Sequence, residues 1–255
     1  MNVPPYLTDE ILLQAFPAAS WGDVQATALQ RRFDRKFVLR GEQLEQVLHK
    51  VKGRYLILPT AGGLLANYNT VYFDTPDMFM FTQHARGKRP RFKVRIRHYP
   101  DRACSYLEVK QKTNRGETLK ERQQVPFGQP SIEPCNHRFV AEHTGLDPAC
   151  LAPLLGTNFK RLTLLDPILG ERVTSDIFLT FTMGSARKDL SRLVVTEVKQ
   201  ANALSRTPFI LALHEVAARS RSFSKYSLGV AFLGLAKRLN GFRPALRMIE
   251  RLVHA

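Results

Sequence analysis

The stretch RGKRPRFKVRIR, Arg86 to Arg97, decides how this chain of 255 residues must be read. After Pro90 it alternates without a break. Arg91, Lys93, Arg95 and Arg97 fall on one side, and Phe92, Val94 and Ile96 on the other. A period of two is that of a β-strand, whose successive side chains point to opposite faces. The apolar face must be buried, so this is not a disordered basic tail. The cationic face must then meet either solvent or a cavity.

The same pattern continues outward. The residues predict further strands over 31–39, 67–74, 104–112, 118–125, 159–166, 172–182 and 192–199, with a hairpin turn at Asn114-Arg115-Gly116. Their polar faces carry Arg32, Asp34 and Lys36, then Glu108, Lys110 and Lys112, then Lys120 and Arg122. Arg172, Thr174 and Asp176 follow, and Glu197 and Lys199 close the series. With strand 91–97 included, twelve cations stand against four carboxylates. Antiparallel sheets often turn a polar face to water. A solvated face mixes signs, however, and like charges opposite one another repel. A closed sheet with a polar, cationic lumen answers both objections. Such a lumen needs an anion, and its sparse carboxylates need a cation. Together they describe a metal-bound polyphosphate.

Composition agrees. Lys and Arg number 38 against 22 Asp and Glu, a formal net charge of +16, and 44 % of residues are apolar. That is a folded globular composition with a bias toward polyanionic partners. There is no run of eighteen apolar residues, which excludes a transmembrane helix from the reading. The N-terminus has no secretion-signal pattern, and Cys104, Cys135 and Cys150 suit neither a disulfide framework nor a zinc site. The expectation is a cytoplasmic protein. Nucleic acid would call for aromatic residues interleaved with the cations. Phe92 faces away from them, which argues against that partner.

The organisation expected is α+β, in one domain over 31–255 after a helical lead-in over 1–30. Leu44, Val47, Leu48 and Val51 give an amphipathic helix over 41–52. A proline-rich helical insertion is expected over about 126–158, with a helix near 136–144. Helices are expected over 208–219, 226–238 and 243–253. Whether these C-terminal helices plug a tunnel mouth, cover the barrel or dock a partner is open at this stage, as is a membrane-bound partner. Asp74 reads as the cap of the turn before Pro76, and Tyr72 and Phe73 as packing residues. No G-x-x-x-x-G-K phosphate loop is present.

The motifs resemble those of the VTC domain, the catalytic domain of the vacuolar transporter chaperone, within the triphosphate tunnel metalloenzyme (CYTH-like) superfamily. The resemblance rests on Arg32-Phe-Asp34-Arg-Lys36-Phe, Thr70-Val-Tyr72-Phe73-Asp74-Thr75-Pro76 and Lys93-Val-Arg95-Ile-Arg97. It continues through Leu107-Glu108-Val-Lys110, Leu119-Lys120-Glu-Arg122, Arg172-Val-Thr174-Ser-Asp176, Thr196-Glu197-Val-Lys199 and Phe223-Ser-Lys225-Tyr226. The set is ordered and covers roughly residues 31 to 230. It implies an antiparallel eight-stranded β-barrel tunnel with a charged lumen, flanked by helices. It also implies a divalent metal, Mn²⁺ or Mg²⁺. For the VTC branch it implies synthesis of inorganic polyphosphate from ATP. Triphosphatases, adenylate cyclases and thiamine triphosphatases are relatives. The superfamily's Glu-x-Glu-x-Lys reads Arg32-x-Asp34-x-Lys36 here, which is compatible with the VTC branch and argues against the cyclase and thiamine triphosphatase branches.

On this reading Arg95 and Arg97 grip the triphosphate as planar forks, with Lys36 and Lys225 beside the reacting phosphate. Lys110, Lys120, Arg122, Lys199 and Arg32 line the rest of the cradle. Glu197 is the first choice as metal ligand, with Glu108 and Asp176 second. A triphosphatase or polyphosphatase in the same tunnel, and a non-catalytic module binding polyphosphate or nucleic acid, are the alternatives.

Overall fold

The computed structural model describes residues 10–28, 33–201, 206–236 and 240–254. Arg32, together with residues 1–9 and 29–30 of the expected lead-in, falls outside the described residues. Two short helices, α1 (Glu10–Gln14) and α2 (Trp21–Ala26), precede strand β1 (Phe33–Arg40) and helix α3 (Gly41–Val51). The chain continues as β2 (Leu56–Ile57), β3 (Ala66–Asp74), α4 (Phe79–Ala85), β4 (Arg91–Tyr99), β5 (Cys104–Lys112) and β6 (Thr118–Val125). Then come α5 (His137–Thr144), β7 (Ala152–Asp166), β8 (Glu171–Met183), β9 (Ala186–Leu190) and β10 (Leu193–Gln200). Three helices end it: α6 (Pro208–Glu215), α7 (Lys225–Phe232) and α8 (Arg243–His254).

The strands form one antiparallel sheet. Eight of them follow one another in the order β1-β10-β8-β7-β3-β4-β5-β6, while β2 pairs with β7 and β9 with β8. The expected path of eight antiparallel strands is thus present, with β2 and β9 added beside it. Among the described residues this ten-stranded sheet is not closed by hydrogen bonds, because β1 and β6 end the path. Charge explains the open seam. On β6, Lys120, Glu121 and Arg122 are exposed, and a charged edge strand resists pairing.

Three other differences have local causes. Residues 152–158 are the start of β7, paired with β3, and not part of a helical insertion. Pro153 near the beginning of that strand is tolerated where few ladder bonds are lost. Helix α4 was not anticipated, because its N-terminus is capped from a distance. Asp74 accepts hydrogen bonds from the backbone N–H of Met80 and Phe81, each at 2.9 Å. Helix α6 stops at Glu215, just before Ala217, which takes a left-handed φ of 57°.

The alternation of β4 is realised. Val94 and Ile96 are fully buried on the outer face, where they pack with Leu107 and Val109 of β5 and Val140 of α5. The apolar face of α3 (Leu44, Val47, Leu48, Val51) meets Phe37, Leu39 and α6 on the outside of β1. Helices α3, α5 and α6 thus cover the outside of the sheet, and the charged face turns inward.

At one end the inner face becomes apolar. A β-bulge at Phe178, with φ of 55°, shifts the register between β7 and β8 so that Leu179 and Phe181 turn inward. They join Val38, Leu155 and Val195, and α7 and α8 fill the space with Tyr226, Val230 and Ile249. The C-terminal helices therefore pack onto the lumen side of the sheet. Gly229 permits the approach. A Cβ added there would lie 2.5 Å from Leu155 Cδ2 and 2.8 Å from Phe181 Cδ1, both on buried side chains. Gly229→Val is expected to cost about 1–3 kcal/mol by overpacking, read as a lower urea midpoint at unchanged m-value.

Candidate functional site

Pairing registers bring the inward side chains together. Lys36 on β1 lies opposite Glu197 on β10, which lies opposite Thr174 on β8. Arg161 on β7 lies opposite Asp176. Across the sheet, Arg95 on β4 pairs with Glu108 on β5, and Glu108 with Arg122 on β6. Strand alternation alone fixes this face, because a one-residue slip would turn every charge outward.

Three of the four lumen-face carboxylates, Glu108, Asp176 and Glu197, are each clamped by two cations. Glu108 accepts from Arg95 Nε at 2.7 Å and meets Lys120 Nζ at 2.6 Å. Asp176 accepts both prongs of Arg161, at 2.6 and 2.9 Å, and also bonds Lys225. Glu197 sits between Lys36 and Lys199, each at 3.0 Å. Burial would raise the pKa of Glu108, but Arg95, Arg97 and Lys120 overcome it and hold the carboxyl down at about 2. Glu197 is likewise held at about 2, with Lys199 and Lys36 outweighing burial. Asp176, buried yet flanked by Arg161 and Lys225, lies far below the usual carboxylate range.

Six cations are engaged in this way, and others remain. Arg97 is buried and donates to Thr70 Oγ1 at 3.3 Å, with its guanidinium over the Tyr68 ring. Arg122 lies over Tyr106. Lys93, Lys110 and Lys120 stand directly opposite one another on β4, β5 and β6. Such a like-charge row is destabilising in an empty sheet. Burial pushes the Lys93 ammonium down to about 7, helped by Lys110, Arg95, Lys36 and Arg91. Lys110 is pushed down to about 8 by burial of its stem and by Lys36 and Arg95. Lys36 belongs to β1, so cations on the two ends of the strand path face each other across the lumen.

The structure thus gathers Lys36, Arg95, Arg97, Lys225, Lys110, Lys120, Arg122, Lys199, Glu197, Glu108 and Asp176 around one lumen. Arg32 lies outside the described residues. Lys112 departs from the row, because its ammonium turns to the hairpin and bonds the Gly116 carbonyl. Asp74 is more than a turn cap. Besides the α4 N-terminus it accepts from Tyr226 Oη, which ties α7 to β3. Arg161 was not anticipated as a site residue. Its signal was present, since Phe159, Arg161 and Thr163 alternate onto the lumen face. Among the described residues no cluster of three or more His, Cys, Asp or Glu side chains is poised for a metal.

The two depressed lysines set a pH dependence. Their folded values, about 7 and about 8, lie below the ordinary lysine value of about 10.4. Between these limits the unfolded chain binds more protons than the folded one, so stability rises with pH. The melting temperature of the ligand-free protein is expected to rise from pH 7 to pH 9. In Lys93→Met/Lys110→Met that rise is expected to flatten. A wild-type melting temperature that is level or falls over this range would contradict the charge row.

The VTC domain family model matches residues 31–133. No curated protein matches the sequence. Among solved structures, HpAC1 from Hippeastrum, an adenylyl cyclase candidate described as having a dominant triphosphatase activity, superposes with a TM-score of 0.52. The two share 15% identity, over 78% of this chain and 96% of that one. An adenylate cyclase candidate from Bacillus halodurans shows 14% identity and a TM-score of 0.45, over 75% of this chain and 92% of its own. No helix among the described residues is long and apolar enough to cross a membrane. The VTC resemblance carried by the strand motifs is thus shown by sequence over residues 31–133, and the fold it implies is shared with HpAC1.

Proposed function

We propose that the protein is a metal-dependent polyphosphate polymerase, transferring the terminal phosphoryl group of ATP to a growing inorganic polyphosphate chain. The observation that carries this reading is the Lys93–Lys110–Lys120 row, faced by Lys36 across the lumen. That row lies at one level of the lumen, and Arg95 and Arg97 continue the positive charge along the same face of β4. A chain of phosphates running along the strand would meet cations at successive levels.

Phosphoryl transfer asks a protein for positioning and charge neutralisation. Arg95 is held by Glu108 and by Tyr72 Oη at 3.2 Å, so its fork is oriented before the ligand arrives. Arg97, oriented by Thr70 and Tyr68, presents a second fork on the same strand face. Lys225, tethered to Asp176, enters from the helix end. Lys36, Lys110, Lys120, Arg122 and Lys199 spread positive charge along the chain of phosphates. Elongation needs no protein nucleophile, because a terminal phosphate oxygen of the chain attacks the γ-phosphorus of ATP as the bond to the bridging oxygen breaks and ADP leaves. ATP, triphosphate and polyphosphate are the ligands implied.

The donor set fits a hard divalent ion that arrives with the substrate and not one caged by protein alone. Such ions are commonly held by one or two carboxylates together with phosphate oxygens and water. Glu197, with 19% of its side chain exposed, is the most open of the three clamped carboxylates, whereas Glu108 and Asp176 are 1% and 4% exposed within their ion pairs. When bound, Mn²⁺ or Mg²⁺ would neutralise charge on the phosphate oxygens.

A second reading, triphosphate hydrolysis in the same tunnel, is favoured by the fold shared with HpAC1 and its described triphosphatase activity. Incubation with ATP and Mn²⁺, followed by a gel stained for polyphosphate, separates the two. Long chains are expected from the wild type. Arg95→Ala and Glu197→Ala are expected to slow their formation by on the order of 100-fold or more, as for loss of one preorganised electrostatic contact. ADP and free phosphate without chains would replace the polymerase by the triphosphatase. Intact ATP with either metal would leave a binding module.

A further inference from the structure

One hydrogen bond in the lumen plays no part in the proposed elongation chemistry. Lys93 Nζ lies 2.7 Å from Ser224 Oγ. Ser224 is the N-cap of α7 and accepts from the Ser227 backbone N–H, so its oxygen is held in place. It is half-buried, at the tunnel face of the helix, directly before Lys225, whose ammonium crosses to Asp176. A hydroxyl, a half-buried amine and the cationic lumen therefore meet at one point.

We propose that Ser224 is a self-phosphorylation site, its hydroxyl accepting the terminal phosphoryl group of a nucleoside triphosphate bound in the tunnel with Lys93 as the base. The proposal rests on the reading of the lumen as a triphosphate site.

A serine hydroxyl is a weak nucleophile until an adjacent base takes its proton, and a separation of 2.7 Å is within reach for that transfer. A lysine serves as base only when its amine is neutral near working pH, which requires burial and neighbouring cations. Lys93 is half-buried on the lumen face and lies among Arg91 and Arg95 on its own strand, Lys110 on β5 and Lys36 on β1. His84 of α4 also lies within range of its charge and is itself kept neutral. Lys93 has no carboxylate partner among the described residues to hold its proton.

The step balances without a further reactant. Neutral Lys93 Nζ takes the Ser224 proton, Oγ forms a bond to the terminal phosphorus, and the bond from that phosphorus to the bridging oxygen breaks. The electron pair leaves on the nucleoside diphosphate. The products are phosphoserine, protonated Lys93 and the diphosphate. Phosphoserine at this place would present phosphate oxygens to the next donor, as the first acceptor of a chain.

The full-length protein is incubated with γ-labelled ATP and Mn²⁺ at pH 8, then denatured, acid-treated, digested and mapped by mass spectrometry, with polyphosphate assayed in parallel. An acid-stable gain of one phosphoryl group on the peptide containing Ser224 is expected. It should disappear in Ser224→Ala. In Lys93→Arg, whose guanidinium cannot act as a base, labelling at saturating ATP should fall by at least tenfold, and labelling kept at saturating ATP would overturn the proposal. Polymer made with Ser224 unlabelled would overturn the proposal and leave the polymerase standing. A label on Ser224 without polymer would support the proposal and remove the polymerase. A label that is lost in acid, as expected for phosphate on a lysine nitrogen, would also overturn it.

Discussion

The structure depends on keeping many like charges on the inside of a sheet. Lys93, Lys110 and Lys120 stand opposite one another across three strands, and Lys36 faces them from β1. Their mutual repulsion would favour another register if the opposite face were indifferent. It is not indifferent, because Val94, Ile96, Leu107 and Val109 are buried against α5 and its neighbours. A slip of one residue would expose that apolar layer and bury the lysines among it. Hydrophobic burial outside the sheet therefore enforces electrostatic crowding inside it. Part of that cost is offset by Glu108, Asp176 and Glu197, each between two cations. The rest is left for a ligand.

This division of labour explains why the carboxylates matter beyond any metal. A buried charge pair contributes little net stability, since desolvation cancels much of its attraction. Its value here is orientation. Glu108 fixes the Arg95 fork, Asp176 fixes Arg161 and Lys225, and Glu197 fixes Lys36 and Lys199. The polar cradle is thereby arranged before any anion enters, which lowers the reorganisation needed during transfer. The same geometry gives the lumen an excess of positive charge, because two cations flank each carboxylate and Arg97, Arg122, Lys93 and Lys110 add to them.

The closed end of the lumen follows from one backbone irregularity. The bulge at Phe178 turns Leu179 and Phe181 inward, and α7 and α8 pack on the apolar floor so formed. Helix α7 is doubly anchored, by Tyr226 to Asp74 and by Lys225 to Asp176. Its first turn therefore reaches the charged part of the tunnel while its last turn lies in the core. Asp74, which also caps α4, couples the two helices to β3 through a single carboxylate.

The alternation in Arg91–Arg97 determined, by itself, that one face of this strand is apolar and the other cationic. Its repetition in the other strands determined a basic interior and the inward residues on most of them. Local periodicity carries that information because side-chain direction in a strand depends only on parity. Parity also held the signal for Arg161, whose strand begins at Ala152 and was expected only from 159. Other features were decided by tertiary structure alone. Which cations pair with carboxylates depends on register between strands far apart in sequence. Helix α4 depends on a cap six residues before its second residue, and the seating of α7 and α8 on a bulge that no residue pattern announces. The open seam between β1 and β6, and the contact of Ser224 with Lys93 across 131 positions, arise where the sheet curls and α7 returns to it. Such contacts are set by the packing of the whole chain, which no local stretch of sequence contains.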